Sequence, residues 1–178
     1  MPFEISPALT RSFKPPDALL PWLTHAEELS AKLRQTAGQV ALHVLKQDWV
    51  PTGWWERSVL GLTLATVVQR EVIVSVAETP CWYGRTVIPE MTWLNNQSFF
   101  ARLRQESLGA LVFYTDEVVR VRTEYYAVNS SCMEYYWPDR GLTQNESLLW
   151  IRLSEFSLSE KYPFHLIEIL LPGLLRVI

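Results

Sequence analysis

The sequence predicts an α+β domain with an antiparallel sheet, and three observations carry that prediction. Leu29, Leu33 and Ala37 recur at helical spacing near the start of the chain. Strand-like alternation follows, most regular from Val118 to Val128. The gaps between the C-terminal strand candidates are too short for the helical crossovers that a parallel sheet needs. The chain has 178 residues and reads as one domain over 1–178, long enough to enclose a core.

In chain order, Asp17 to Gly38 reads as helix. Leu19, Leu20, Trp22 and Leu23 open its apolar face, and Thr24 with Glu27 forms a capping box that restarts it. Gly38 is a natural terminator. Val40, Leu42 and Val44 alternate as a strand, with a turn expected between Asp48 and Gly53. Trp54 to Val68 is apolar without a clean period. Arg70 to Val76 and Tyr83 to Val87 read as strands, and Phe99, Phe100 and Leu103 place a helix over Asn95 to Gln105. In the strand from Val118, Val119, Val121, Thr123 and Tyr125 share one face, while Arg120, Arg122, Glu124 and Tyr126 share the other. Asn129 to Glu146, polar with Pro and Gly, reads as a long hairpin loop. Leu148 to Ser157 and Phe164 to Leu171 complete the strands.

Composition narrows the function classes. Hydrophobic residues make up 48% and charged residues 20%, as in ordinary globular proteins. A formal net charge of -3 leaves no electrostatic footprint for nucleic acid or an anionic membrane. The opening MPFEISPALTRSF lacks the apolar run of a signal peptide. The most apolar window, FHLIEILLPGLLRVI, is short for a bilayer span and carries Glu168. Cys81 and Cys132 make no disulfide or metal pattern, and His25, His43 and His165 lack ligand spacing. No Gly-rich phosphate loop or nucleophile elbow occurs. The expectation is a cytoplasmic monomer with a small-molecule ligand and no cofactor or metal.

Two residues stand out chemically. Glu168 lies in Phe164-His165-Leu166-Ile167-Glu168-Ile169-Leu170-Leu171, apolar on both faces, so its carboxylate is expensive unless paired, hydrogen-bonded or protonated. A structural Glu–Arg pair and an acid poised for chemistry both satisfy that requirement. Arg85 follows Gly84 in Cys81-Trp82-Tyr83-Gly84-Arg85-Thr86-Val87-Ile88-Pro89, which reads as a short Gly-Arg turn. The glycine permits a sharp turn or a close backbone approach, and the guanidinium is a planar fork that fits a carboxylate. Arg70 and Glu71 read as sheet-surface or register residues. Arg120, Arg122 and Glu124 read as a solvated strand face.

From about Leu20 onward the chain resembles the chorismate pyruvate-lyase family. The residues that carry the resemblance are Arg70-Glu71-Val72, Pro80 to Pro89 with its Gly-Arg-Thr-Val-Ile-Pro core, Leu108-Gly109 with Phe113, Leu149-Trp150 with Arg152, and Glu168-Ile169-Leu170-Leu171-Pro172. The resemblance implies a six-stranded antiparallel sheet with helical flaps over an enclosed ligand. It matches Arg85 to the arginine holding the ring carboxylate and Glu168 to the glutamate beside the ring hydroxyl. Leu108 matches a leucine that contacts the ligand through its backbone. Leu29 falls where relatives carry a methionine, a swap that conserves apolar volume.

The implied reaction eliminates pyruvate from chorismate to give 4-hydroxybenzoate for ubiquinone or plastoquinone synthesis. Aromatisation drives it, so the protein need only orient the substrate, exclude water and stabilise charge on the departing oxygen. The alternatives are a non-catalytic domain of the same fold that senses small acids, and a lyase acting on a modified chorismate.

Overall fold

The computed structural model describes residues 13–178. Residues 1–12, which hold most of the stretch weighed against a signal peptide, lie outside that description. Six strands make one antiparallel sheet: β1 (Val40–Pro51), β2 (Thr66–Val76), β3 (Thr79–Pro89), β4 (Val118–Val128), β5 (Leu149–Leu158) and β6 (Tyr162–Leu170), in the spatial order β1-β2-β3-β6-β5-β4. The predicted α+β class with an antiparallel sheet is therefore the observed one. Among the described residues no helix is long and apolar enough to cross a membrane.

Tight hairpins set the order. The β2–β3 turn places Ala77 and Glu78 at φ 44 and 66, and the β5–β6 turn places Ser159 and Glu160 at φ 52 and 56. Two consecutive left-handed residues match the twist of the flanking strands, even though neither turn contains glycine. The central strands β2, β3, β5 and β6 bury side chains on both faces.

On one face, Val74, Trp82, Trp150 and Leu170 pack under α1 (Leu20–Leu23) and α2 (Leu29–Ala37). Further along that face, Val68, Ile88, Phe156 and Phe164 meet the segment containing α4 (Glu90–Asn95), α5 (Gln97–Ala101) and α6 (Leu108–Phe113). The opposite face carries Val67, Tyr83, Val87, Ile151 and Ile167. It is covered by Trp55 of a short helix, α3 (Trp54–Ser58), and by Tyr135, Trp137 and Leu142.

Four expectations are corrected. The helix expected over Asp17–Gly38 is two helices: Thr24 ends α1 rather than capping a new turn, its backbone N–H and Oγ1 both donating to the Leu20 carbonyl, at 3.0 and 2.9 Å, and Thr24–Glu28 lies between the helices. β1 runs through Asp48 to Pro51, held by its register with β2. Asn129–Glu146 is not an open loop: it holds a 3-10 turn (Met133–Tyr136) and α7 (Arg140–Thr143), and Glu134 accepts hydrogen bonds from Trp55 Nε1 at 2.7 Å and the Tyr126 hydroxyl at 3.3 Å. Finally, the alternation in β4 breaks at a register shift between Arg120 and Arg122. A bulge adds one residue and reverses facing, so Arg120 joins Thr123 and Tyr125 on one face while Arg122 stays with Glu124 on the other.

Candidate functional site

The sheet register builds the site. Val72, Gly84, Glu168, Arg152 and Tyr125 lie side by side across β2, β3, β6, β5 and β4. The next row on that face is Arg70, Thr86, Leu166, Ser154 and Thr123. Arg70, Val72, Gly84, Thr86, Arg152, Leu166 and Glu168 line one cavity under α2 and α6, closed from above by Glu28, Leu29, Leu108 and Phe113. A Cβ at Gly84 would come within 2.9 Å of Val72 Cγ2. Glycine therefore keeps the floor low between Arg70 and Glu168, within an extended strand rather than at the turn expected from Gly84-Arg85.

Glu168 finds its partner on the adjacent strand. Arg152 Nε donates to Glu168 Oε2 at 2.6 Å, and Arg152 Nη1 donates to the His25 carbonyl at 2.9 Å. Arg152 is 1% exposed, so the pair is desolvated and holds both charges by direct hydrogen bonding.

Arg85 lies on the other face of the sheet and does not reach this cavity. Strand parity is the reason: Gly84 is the residue opposite Glu168, so its neighbour Arg85 projects the opposite way, opposite Ile167. There Arg85 donates to Glu71 Oε1 at 3.1 Å and to the Tyr83 hydroxyl at 3.2 Å, and its guanidinium stacks 3.7 Å from the Trp137 ring centroid. Arg85 docks the 129–146 segment onto the sheet. Its neighbour Tyr83 is buried, which raises the phenol above its ordinary range.

The arginine that enters the cavity is Arg70, read from sequence as a register residue. It is 2% exposed, its Nε has no hydrogen-bond partner, and among the described residues no carboxylate pairs with it. Burial pulls its pKa down from the ordinary arginine range. An unpaired buried guanidinium is costly, and an anion entering the cavity would offset that cost. The sequence carried a usable signal. Arg70 sits in Val67-Val68-Gln69-Arg70-Glu71-Val72-Ile73-Val74, apolar before and after, and the burial argument made for Glu168 applies to it equally.

Arg120 was read as solvated but lies half-buried on the cavity side. Its Nη1 donates to the Ala26 carbonyl at 2.7 Å and its guanidinium sits 4.9 Å from the Phe113 ring centroid. Burial, and then Arg152, lower its pKa to about 10, with Glu168 opposing. Arg120 and Arg152 together tie down His25 and Ala26, the segment leading into Leu29 at the cavity wall. Leu29 and Leu108 are each the first residue of a helix and both are buried. Ser107 caps α6 by accepting from Ala110 N at 3.0 Å, and Leu108, as the first helical residue, has an N–H with no intrahelical acceptor.

The cavity is small, about 40 Å³. That is room for about three waters and less than a drug-sized ligand occupies. A ring-sized acid needs a larger space than this. Arg70 and Glu168 lie two strand spacings and one row apart, about 12 Å at the backbone. A ring with a carboxylate at one end and a hydroxyl at the other, plus a hydrogen bond at each end, spans such a gap.

Comparisons with known proteins bear on the family and the fold. The chain is 29% identical over 157 residues to a probable chorismate pyruvate-lyase of Coxiella burnetii, covering 86% of this chain and 82% of that one. It is 25% identical over 135 residues to a chorismate pyruvate-lyase of Pectobacterium carotovorum, covering 72% and 73%. Among solved structures it superposes on a GntR-family transcriptional regulator from Bacillus cereus with a TM-score of 0.54 at 13% identity, covering 75% and 92%. The C-terminal domain of Yurk from Bacillus subtilis gives 0.51 at 14%, covering 74% and 90%. These two likenesses speak to the fold alone. The chorismate lyase family profile matches residues 9–172, and the chain belongs to the chorismate lyase family.

Proposed function

We propose that this protein is a chorismate pyruvate-lyase that forms 4-hydroxybenzoate and pyruvate, with Arg70 as carboxylate anchor and Glu168 beside the ring hydroxyl. The observation that carries the reading is Arg70, a buried guanidinium whose Nε has no acceptor among the described residues, facing the Arg152–Glu168 pair across the low floor at Gly84. Family membership supports the substrate.

In this reading Arg70 takes the ring carboxylate as a two-pronged clamp, with the Leu108 N–H beside it. That fixes the ring with its hydroxyl-bearing carbon toward Glu168. The ring C–O bond to the enolpyruvyl group breaks, and the hydroxyl-bearing carbon gives up its proton. The C–H electron pair becomes ring π density, and the enolpyruvate that leaves takes up a proton to become pyruvate. Arg152 holds Glu168 in place while the closed flap excludes water, so the charge on the departing oxygen develops among fixed dipoles. The 4-hydroxybenzoate then enters quinone biosynthesis in the cytoplasm.

The test is incubation of the purified protein with chorismate and chromatography of the products. Equal amounts of 4-hydroxybenzoate and pyruvate, both lost in Arg70→Ala, bear the proposal out. Chorismate returned intact by folded protein rejects the lyase and leaves an acid-sensing domain.

A further inference from the structure

Glu28 is a second carboxylate in the cavity wall, and its surroundings give it no structural task. It occupies the N-cap position of α2 without making a side-chain capping bond. It is 4% exposed, and among the described residues neither Oε1 nor Oε2 has a hydrogen-bond partner. Its ion-pair partner among the described residues is Arg34, whose Nη2 lies 3.5 Å from Oε2 on a half-exposed side chain where solvent screens it. The resting place of the carboxyl is built into the fold: a Cβ at Gly109 would meet Glu28 Cγ at 2.5 Å and Oε1 at 2.8 Å, so α6 has a glycine where this side chain passes.

Arg70 and Glu28 line the same small cavity, one inviting an anion and the other repelling it. Glu168 is already satisfied by Arg152. An entering carboxylate clamped by Arg70 therefore shares the cavity with Glu28, a like charge only partly compensated by the half-exposed Arg34 and held out of bulk water. We propose that Glu28 is a specificity-determining residue that holds down the cavity's affinity for anionic ligands, so that an aromatic acid is released rather than retained. This rests on the reading of the cavity as an acid-binding site.

The experiment measures calorimetric Kd values of 4-hydroxybenzoate and its uncharged isostere 4-hydroxybenzamide, for wild type and Glu28→Gln. The glutamine keeps the volume and the Gly109 contact and removes only the charge. The expected result is about tenfold tighter benzoate binding, as a like charge at several ångström predicts, with the amide unchanged. Arg34→Gln reads the same charge from the other side, on an exposed residue that does not threaten folding, and should weaken benzoate binding about twofold while sparing the amide. Benzoate binding that is unchanged or weaker in Glu28→Gln overturns the proposal. So does a parallel shift for the amide, or no benzoate binding by either protein. Chorismate turnover by the wild type reports separately: turnover without the benzoate shift sinks only the role of Glu28, whereas the shift without turnover supports that role and sinks the lyase.

Discussion

Arg70 and Arg85 stand on neighbouring strands and point to opposite faces of the sheet, Arg70 opposite Thr86 and Arg85 opposite Glu71. Their substitutions should separate cleanly. Arg70→Ala is expected to lower kcat/KM by about 10²-fold or more, because a charge-assisted, two-pronged hydrogen bond to substrate is lost. Arg85→Ala is expected to leave kcat/KM within about threefold and to cost about 1–2 kcal/mol of stability through the lost Trp137 stack and Glu71 pair. Steady-state kinetics beside urea melts of both variants decide the matter, and a catalytic defect confined to Arg85→Ala would reverse the assignment.

The Arg152–Glu168 pair should behave asymmetrically. Arg152→Met leaves a buried carboxylate without its donor, and a loss of about 3–5 kcal/mol is expected. Glu168→Gln keeps an acceptor for Arg152 Nε, so its stability loss should be smaller while kcat falls about 10²-fold or more. Chemical denaturation and single-turnover kinetics on the two variants check both halves. Equal stability losses would show that the pairing does not govern the fold.

Arg120 and Arg152 together hold the segment before α2 through its carbonyls at Ala26 and His25. Arg120→Met, which keeps much of the side-chain volume, should release one of those ties. About tenfold faster amide exchange is expected across Thr24–Leu29, with a raised KM for chorismate. Exchange that is unaltered in this segment would mean that Arg120 does not restrain the flap.

His165, buried on the face opposite the cavity, gives a pH signature. Burial first, and then Arg122, lower its pKa to about 4 from 6.5. Between those values the unfolded chain binds the proton and the native chain does not. Stability is therefore full above about pH 6.5 and is lost as pH falls toward 4, by about 3 kcal/mol in total. Urea midpoints at pH 7 and 4.5 should differ for the wild type and differ much less for His165→Gln. An undiminished slope in the variant would assign the acid sensitivity to other groups.

The antiparallel α+β class was legible in this chain because strand periodicity and short connections are local, and because charge inside an apolar strand is expensive wherever the strand goes. Those same considerations drew attention to Glu168, and the Pro80–Pro89 and Glu168–Pro172 residues marked the family. Which arginine faces Glu168 was not legible. A strand's side chains alternate with period two, so a single step of register exchanges Arg85 for Gly84, and that register is set by the pairing of β3 with β6 far along the chain. The bulge in β4 that turns Arg120 inward likewise depends on β5. The break at Thr24 that brings Glu28 and Leu29 to the cavity depends on carbonyls captured by Arg120 and Arg152. The sequence by itself determined the kinds of element, their order and the presence of a buried charge. Only the tertiary structure decided which charges share a cavity, because facing and register are properties of paired strands and no single strand contains them.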